Sequence, residues 1–301
     1  MTASGDRGER PVMVERNGWC SPATTVGSGS SHRGERKSRR GLDGGSERRC
    51  AVTAAAPNVQ TNSTRTHNPG ATSALASDIG AIREALQLLV EPGSVVEIRI
   101  PIRKGRVVSG YFDDLDAAAR AAAEWSGRAH GVYFTLNPVN SACLARAADH
   151  LKDYAEVTTG DTEIVRRRWL PIDCDPKRPA GISSTDEEHD RAIALAREIR
   201  QWVCGALDFS PDSIILADSG NGAHLLARID EPNDNPTRDL VKRCLDALKF
   251  RFEDGFTSID TSVFNASRIF KLYGTVAGKG DCVPGRPHRV SRLLEVPDAL
   301  R

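Results

Sequence analysis

Two aspartates separated by one residue, Asp173 and Asp175, close a short apolar run, Trp169-Leu-Pro-Ile172. Side chains alternate faces along a strand, so both carboxylates are expected to project from one face. Like charges at that spacing resist joint ionisation unless a cation lies between them. Carboxylate oxygens suit the hard cations Mg2+ and Mn2+, which keep waters and bind substrate phosphates. Pro176 has no N–H for the ladder and ends the strand. The pattern reads as a metal-binding strand end, although a solvated Asp-rich turn closing an ordinary strand fits the same residues.

Other stretches supply complementary chemistry. Asn221-Gly222 lies between two apolar runs, a strong hairpin signal, and the turn glycines let backbone approach a ligand closely. In Asp218-Ser-Gly-Asn-Gly-Ala-His224, Ser219, Asn221 and His224 thus face a phosphate or sugar, or merely close a hairpin. Asp260 is a third carboxylate that either completes a metal site or serves a turn. Arg268 and Lys271 suit neutralisation of a triphosphate, Arg as a fork and Lys as a point charge. Arg286, His288 and Arg289 add to that field. The basic lead Arg166, Arg167 and Arg168 suits template or primer phosphates, or is a solvated strand lead.

The elements that must position these groups are legible from periodicity and caps. Asp78 is expected to cap a helix bearing Ile79, Ile82, Leu86 and Leu89, ended by Glu91-Pro-Gly93. Residues 95–100 and 106–112 read as strands joined through Lys104-Gly105. Asp113 or Asp114 starts an Ala-rich helix to Trp125. Residues 131–136 form a strand, Asn137-Pro138 turns the chain, and 141–151 read as a helix. Thr185 and Glu188 form a capping box before a helix with Ile193, Ala196, Ile199 and Val203 on one face. Strands 213–217 and 224–229 flank the 219–222 turn. Asn235 caps and Pro236 opens a helix bearing Leu240, Cys244, Leu248 and Phe252. A strand is expected over 268–275. Helices and strands mix without clean alternation, which gives an α+β or mixed α/β domain rather than a doubly wound sheet.

Composition bounds the reading. The 301 residues are 39% hydrophobic and 27% charged, ordinary for a soluble protein. A net charge of +1 gives no global basic signal, so any nucleic-acid contact must be local. No apolar run spans a bilayer, and the N-terminus has no secretory h-region. The seven cysteines are scattered with no Cys-x-x-Cys, which argues against structural zinc and suits a reducing cytoplasm. Residues 1–76 are rich in Gly, Ser, Thr and Arg and read as a disordered basic extension; order is expected over 78–301.

Taken in order, Asp173-Cys-Asp175, Ser219-Gly-Asn-Gly-Ala-His224 and Ile259-Asp260 resemble the catalytic core of the archaeo-eukaryotic primase superfamily. Gly131-Val-Tyr-Phe-Thr-Leu-Asn-Pro138 and Asn265 to Thr275 are similar to its primase-polymerase branch from plasmids, phages and mobile elements. The resemblance implies an RRM-like catalytic sheet (161–301) packed on an N-terminal α/β lobe (78–160), with the active site in the cleft between. It implies that Asp173, Asp175 and Asp260 hold two divalent ions, Mg2+ or Mn2+. It further implies that His224 contacts the incoming nucleotide and that Arg268 and Lys271 lie near its triphosphate. The family's second motif often reads Ser-x-His; here Gly222 takes the place of the serine.

The implied activity is template-directed addition of dNTPs or NTPs on single-stranded DNA, with a separate helicase for unwinding. Such phosphoryl chemistry needs no protein nucleophile. A metal-dependent nuclease would use the same acids with less need of triphosphate-binding cations. A non-catalytic replication-initiator module would bind DNA without needing all three acids.

Overall fold

A computed structural model describes residues 77–301; the expected basic extension, residues 1–76, lies outside the described residues. The Asp78 carboxylate caps α1 (Ile79–Leu89) by accepting from Ala81 N–H, and Ile82, Ala85, Leu86 and Leu89 are buried. Strands β1 (Val96–Pro101) and β2 (Val107–Phe112) pair antiparallel. Lys104 and Gly105, with φ of 64° and 77°, make the turn between them. Asp114 caps α2 (Leu115–Trp125), which packs on α1. Strand β3 (Tyr133–Thr135) lies against the other edge of β1.

The second half runs β4 (Arg166–Pro176), α3 (Asp186–Ala206), β5 (Ile214–Asp218), β6 (Ala223–Pro232), α4 (Asn235–Phe252) and β7 (Thr257–Ile259). These strands lie in the order β5-β6-β4-β7, and every pair is antiparallel. That is the βαββαβ arrangement of RRM-like and ferredoxin-like folds. The Thr185–Glu188 capping box forms as expected, and α3 buries Ile193, Ala196, Ile199 and Val203. Strand β8 (Ile269–Lys271) pairs with β3, so the first sheet reads β2-β1-β3-β8. The two sheets therefore interlock instead of dividing at residue 160, because the chain returns to the first sheet after leaving the second. Strands β9 (Val276–Ala277) and β10 (Arg289–Val290) form a small ribbon, and β11 (Arg292–Glu295) adds to the open edge of β5.

Three expectations change. Residues 141–151 are not one helix: Ser141–Arg146 is a 3-10 turn, and 147–155 runs along β2, bonding to Val107, Ser109 and Tyr111. Gly110 permits this approach, since a Cβ there would lie 2.0 Å from His150 O. Asp234, not Asn235, caps α4, which buries Thr237, Val241, Leu245, Leu248 and Phe252, while Leu240 faces solvent. The expected strand 268–275 ends at Lys271. Gly274, at φ 89°, then turns the chain against α1, where a Cβ would strike Ile82 at 2.7 Å.

Candidate active site

On β4, Asp173 and Asp175 share the face that carries Trp169, whose indole N–H donates to Leu89 O at the end of α1. That face looks toward the first sheet. Between the sheets lies a cavity of about 300 Å³, lined by Asp173, Asp175, Ser219, Asn221 and His224 on one side. Tyr133, Arg268, Lys271 and Lys279 line the other. Of the residues singled out in the sequence, Asp173, Asp175, Ser219, Asn221, His224, Arg268 and Lys271 line this one cavity.

The hairpin reaches β4 because of its glycines. Register places His224 opposite Asp173, with His224 Nε2 3.5 Å from Asp173 Oδ1. A Cβ on Gly222 would lie 2.3 Å from Cys174 O and 3.1 Å from Asp175 Oδ1. The missing side chain of Gly222 thus lets the turn backbone close onto the end of β4. The turn is tied down on its far side. Ser219 Oγ accepts from Gly222 N–H, Asn221 Oδ1 accepts from Ser184 N–H, and Asp218 Oδ1 accepts from Gly220 N–H. His189 Nε2 lies 2.8 Å from the same Asp218 oxygen.

Asp260 arrives beside the pair, its N–H donating to Asp173 O at 2.9 Å. Its carboxylate is occupied, however: Oδ1 accepts from Ser262 N–H, and Oδ2 lies 3.2 Å from Arg268 Nη2. Among the described residues, no three His, Cys, Asp or Glu side chains are gathered as a ready-made metal cage. The expected three-acid site is thus represented by an Asp173–Asp175 pair with the third acid adjacent and engaged by Arg268.

Burial, then Asp175, then Asp260, push the Asp173 carboxyl well above the usual carboxylate range. Nearby Lys279 and Arg268 only partly offset this, and the all-oxygen donor set of the carboxylates suits Mg2+ or Mn2+. Burial lowers His224 to about 4, against a smaller opposing pull from Asp175. Its Nδ1 lies 2.9 Å from Tyr273 Oη, and its ring packs edge-on against Phe270. The imidazole is therefore neutral near pH 7 and serves as a hydrogen-bonding group rather than a cation. Burial, aided by Lys279, lowers Lys271 to about 7; its Nζ donates to Val276 O at 2.7 Å. Lys271 is thus only partly charged, which weakens the role expected of it as a point charge.

The outlying cations do not reach the cleft as expected. Arg167 and Arg168 are 4% and 7% exposed. Arg167 donates to Phe264 O, and Arg168 stacks on Trp169, whose ring Arg228 also approaches. Arg166 pairs with Glu91 and Asp230. A bulge after Arg167 turns this lead into a structural joint, and Asn137 Oδ1 accepts the Arg168 N–H there. The basic lead thus offers buried or paired guanidiniums in place of the solvent-facing ones a template track needs. Arg286 forks onto Glu188, and Arg289 bonds Ser184 O and Asp186. Both strap residues 278–289 to the start of α3.

Lys279 is a cleft residue that motif and spacing did not single out. Its ammonium makes no hydrogen bond or ion pair among the described residues, and it lines the cavity. Its backbone is fixed: Lys279 O accepts from Ser183 Oγ, and Gly278 N–H donates to His130 O. The available signal was a lysine between two glycines, Gly278 and Gly280, each in close contact with a neighbouring element.

No family model matches the chain, and no curated protein does. Among solved structures it is similar to the AEP domain of the Cyanophage S-2L primase-polymerase (PrimPol), at 17% identity and a TM-score of 0.39, covering 74% of this chain and 95% of that one. It is also similar to primase RepB', at 10% identity and 0.39, covering 73% and 56%. A third is the polymerase domain of Mycobacterium tuberculosis Ligase D in complex with DNA, at 15% identity and 0.40, covering 74% and 84%. These are distant likenesses of fold.

Proposed function

We propose that this chain catalyses metal-dependent, template-directed nucleotidyl transfer on single-stranded DNA, as a primase-polymerase. One observation carries the reading. A carboxylate pair and a neutral histidine face Arg268, Lys271 and Lys279 across a single cavity between two sheets. Acids alone would suit a nuclease; the facing cations suit a triphosphate.

Asp173 and Asp175 would hold the divalent ions, joined by Asp260 once Arg268 exchanges that carboxylate for a phosphate. When bound, Mg2+ or Mn2+ would lower the pKa of the attacking 3′-hydroxyl and offset charge on the departing pyrophosphate. Arg268 and Lys279 would bind the triphosphate oxygens, and His224 would donate a hydrogen bond to the nucleotide. Tyr133 and the 219–222 turn would wall the nucleotide and exclude water. The same reading gives dNTPs or NTPs as substrates, a cytoplasmic setting and a separate helicase as partner. No helix among the described residues is long and apolar enough to cross a membrane.

The test is nucleotide addition to an unprimed and a primed single-stranded template with Mg2+ or Mn2+, comparing the two nucleotide types. Changing Asp173 and Asp175 together to Ala abolishes addition while circular dichroism stays native. Addition that survives the double change overturns the assignment; strand cleavage without triphosphate binding supports the nuclease instead.

A further inference from the structure

Tyr273 stands just beyond β8, in the stretch that leads from the first sheet to the turn against α1, and it is only 1% exposed. Its Oη lies 2.9 Å from Nδ1 of His224, on β6 of the other sheet. From the hydrogen-bond accounting around this contact we infer that Tyr273 is a positioning residue. Its O–H donates to His224 Nδ1 and so keeps the imidazole proton on Nε2, the nitrogen that faces the cavity. The use made of that proton, as a donor to a triphosphate, rests on the function proposed above.

A phenol has one proton to give, and a neutral imidazole has one N–H and one bare nitrogen. Among the described residues, His224 Nδ1 is the sole hydrogen-bond partner of Tyr273 Oη. Were the proton on Nδ1, it would donate to Oη, and the phenolic hydrogen would be buried without an acceptor. Buried donors in that state are costly and rare. With Nδ1 bare, the phenol donates to it and both groups are satisfied. An imidazolium fails as the Nδ1–H form does, because both its nitrogens carry protons. The opposite edge of the ring agrees: Nε2 lies 3.5 Å from an oxygen, Asp173 Oδ1, and His224 lines the cavity there.

The phenol is itself held in place. On either side of it, Leu272 N–H donates to Val132 O and Gly274 N–H donates to Ser291 O. Thr275 Oγ1 and Ser291 Oγ both donate to Leu272 O. Phe270 packs edge-on against the imidazole, with ring centroids 4.9 Å apart. A half-turn of the imidazole about Cβ–Cγ would put Cδ2 where Nδ1 now stands and lose the phenol, so the one contact fixes rotamer and tautomer together. Ionised phosphate oxygens only accept hydrogen bonds. A histidine that shifted its proton or turned over would offer them a bare nitrogen or a C–H. Tyr273 does not line the cavity, so it acts through His224 and not on the nucleotide.

The test uses the full chain with isotope-labelled histidine. Long-range proton–nitrogen correlation NMR separates the two neutral tautomers, and the His224 signals are assigned by their loss in His224→Gln. Wild type should show Nε2 protonated and Nδ1 bare and hydrogen-bonded. Tyr273→Phe keeps the ring packing; it should move the Nδ1 resonance toward that of an unbonded nitrogen. The same variant should weaken binding of dATP or ATP with Mg2+ about fivefold by calorimetry. A merely structural phenol would lower Tm in the variant and leave triphosphate affinity alone. A proton on Nδ1 in wild type overturns the inference, whether or not the variant folds, as does a Tyr273→Phe protein that binds triphosphate as wild type does. A wild-type chain with the proton on Nε2 that binds neither triphosphate keeps the tautomer assignment and removes the polymerase reading.

Discussion

Replacing Gly222 with alanine tests how the hairpin sets the acids. A Cβ there would sit 2.3 Å from Cys174 O, whereas a carbon–oxygen contact needs about 3.3 Å. One side must therefore give by about 1 Å. The turn cannot simply retreat, because Asn221 is held by Ser184 N–H and Gly220 by Asp218. The end of β4 yields instead, and Asp175, with Oδ1 at 3.1 Å from the new carbon, moves with it. Overpacking of this kind costs about 1–3 kcal/mol, or roughly 2–4 °C of Tm per kcal/mol in a domain of this size. Misplacement by about 1 Å costs about 100-fold in rate. Gly222→Ala should thus keep native circular dichroism, melt several degrees early and lose about two orders of magnitude in kcat for nucleotide addition. A folded Gly222→Ala protein with kcat within about twofold of wild type would mean that this turn does not set the acids.

Two further outcomes are expected. Lys271 titrates near 7 when folded, against 10.5 for an ordinary lysine, so the unfolded chain binds more protons between those values. Stability should rise with pH across that window and be lost as pH falls through 7. Urea unfolding across the window measures the slope, which Lys271→Met should reduce; an unchanged slope removes the burial account. Gly205, near the end of α3, has open space where a Cβ would sit, with nothing to meet it within 4 Å. Gly205→Ala should stabilise by about 0.4–1 kcal/mol in the same assay without altering nucleotide addition.

What the sequence disclosed follows from which interactions are local. Asp173 and Asp175 share a face because a strand's period is two, and Asn221-Gly222 marks a hairpin by its own dihedral demands. Those rules place His224 on the partner strand, and pairing did the rest. The Thr185 and Asp78 caps were readable for the same reason. The fate of the Arg166–Arg168 lead was not, since guanidiniums read as solvated until Trp169, Glu91, Asp230 and Phe264 are known to surround them. Residues 141–151 looked helical in isolation, and only the β2 edge, which takes up 147–155, decides otherwise. Lys279 escaped notice because its importance comes from contacts of Gly278 and Gly280 with His288 and Gly181, distant along the chain. The charge states of His224 and Lys271 were equally hidden, as burial sets both.

The proposed chemistry requires Asp173 and Asp175 to bind a divalent cation for a nucleoside triphosphate. Titration of Mn2+ followed by electron paramagnetic resonance, with and without a triphosphate, measures this directly. Wild type should bind Mn2+ more tightly when the triphosphate is present, and the Asp173→Asn, Asp175→Asn double variant should lose that binding at least about tenfold. A double variant that holds Mn2+ and triphosphate as wild type does would contradict it.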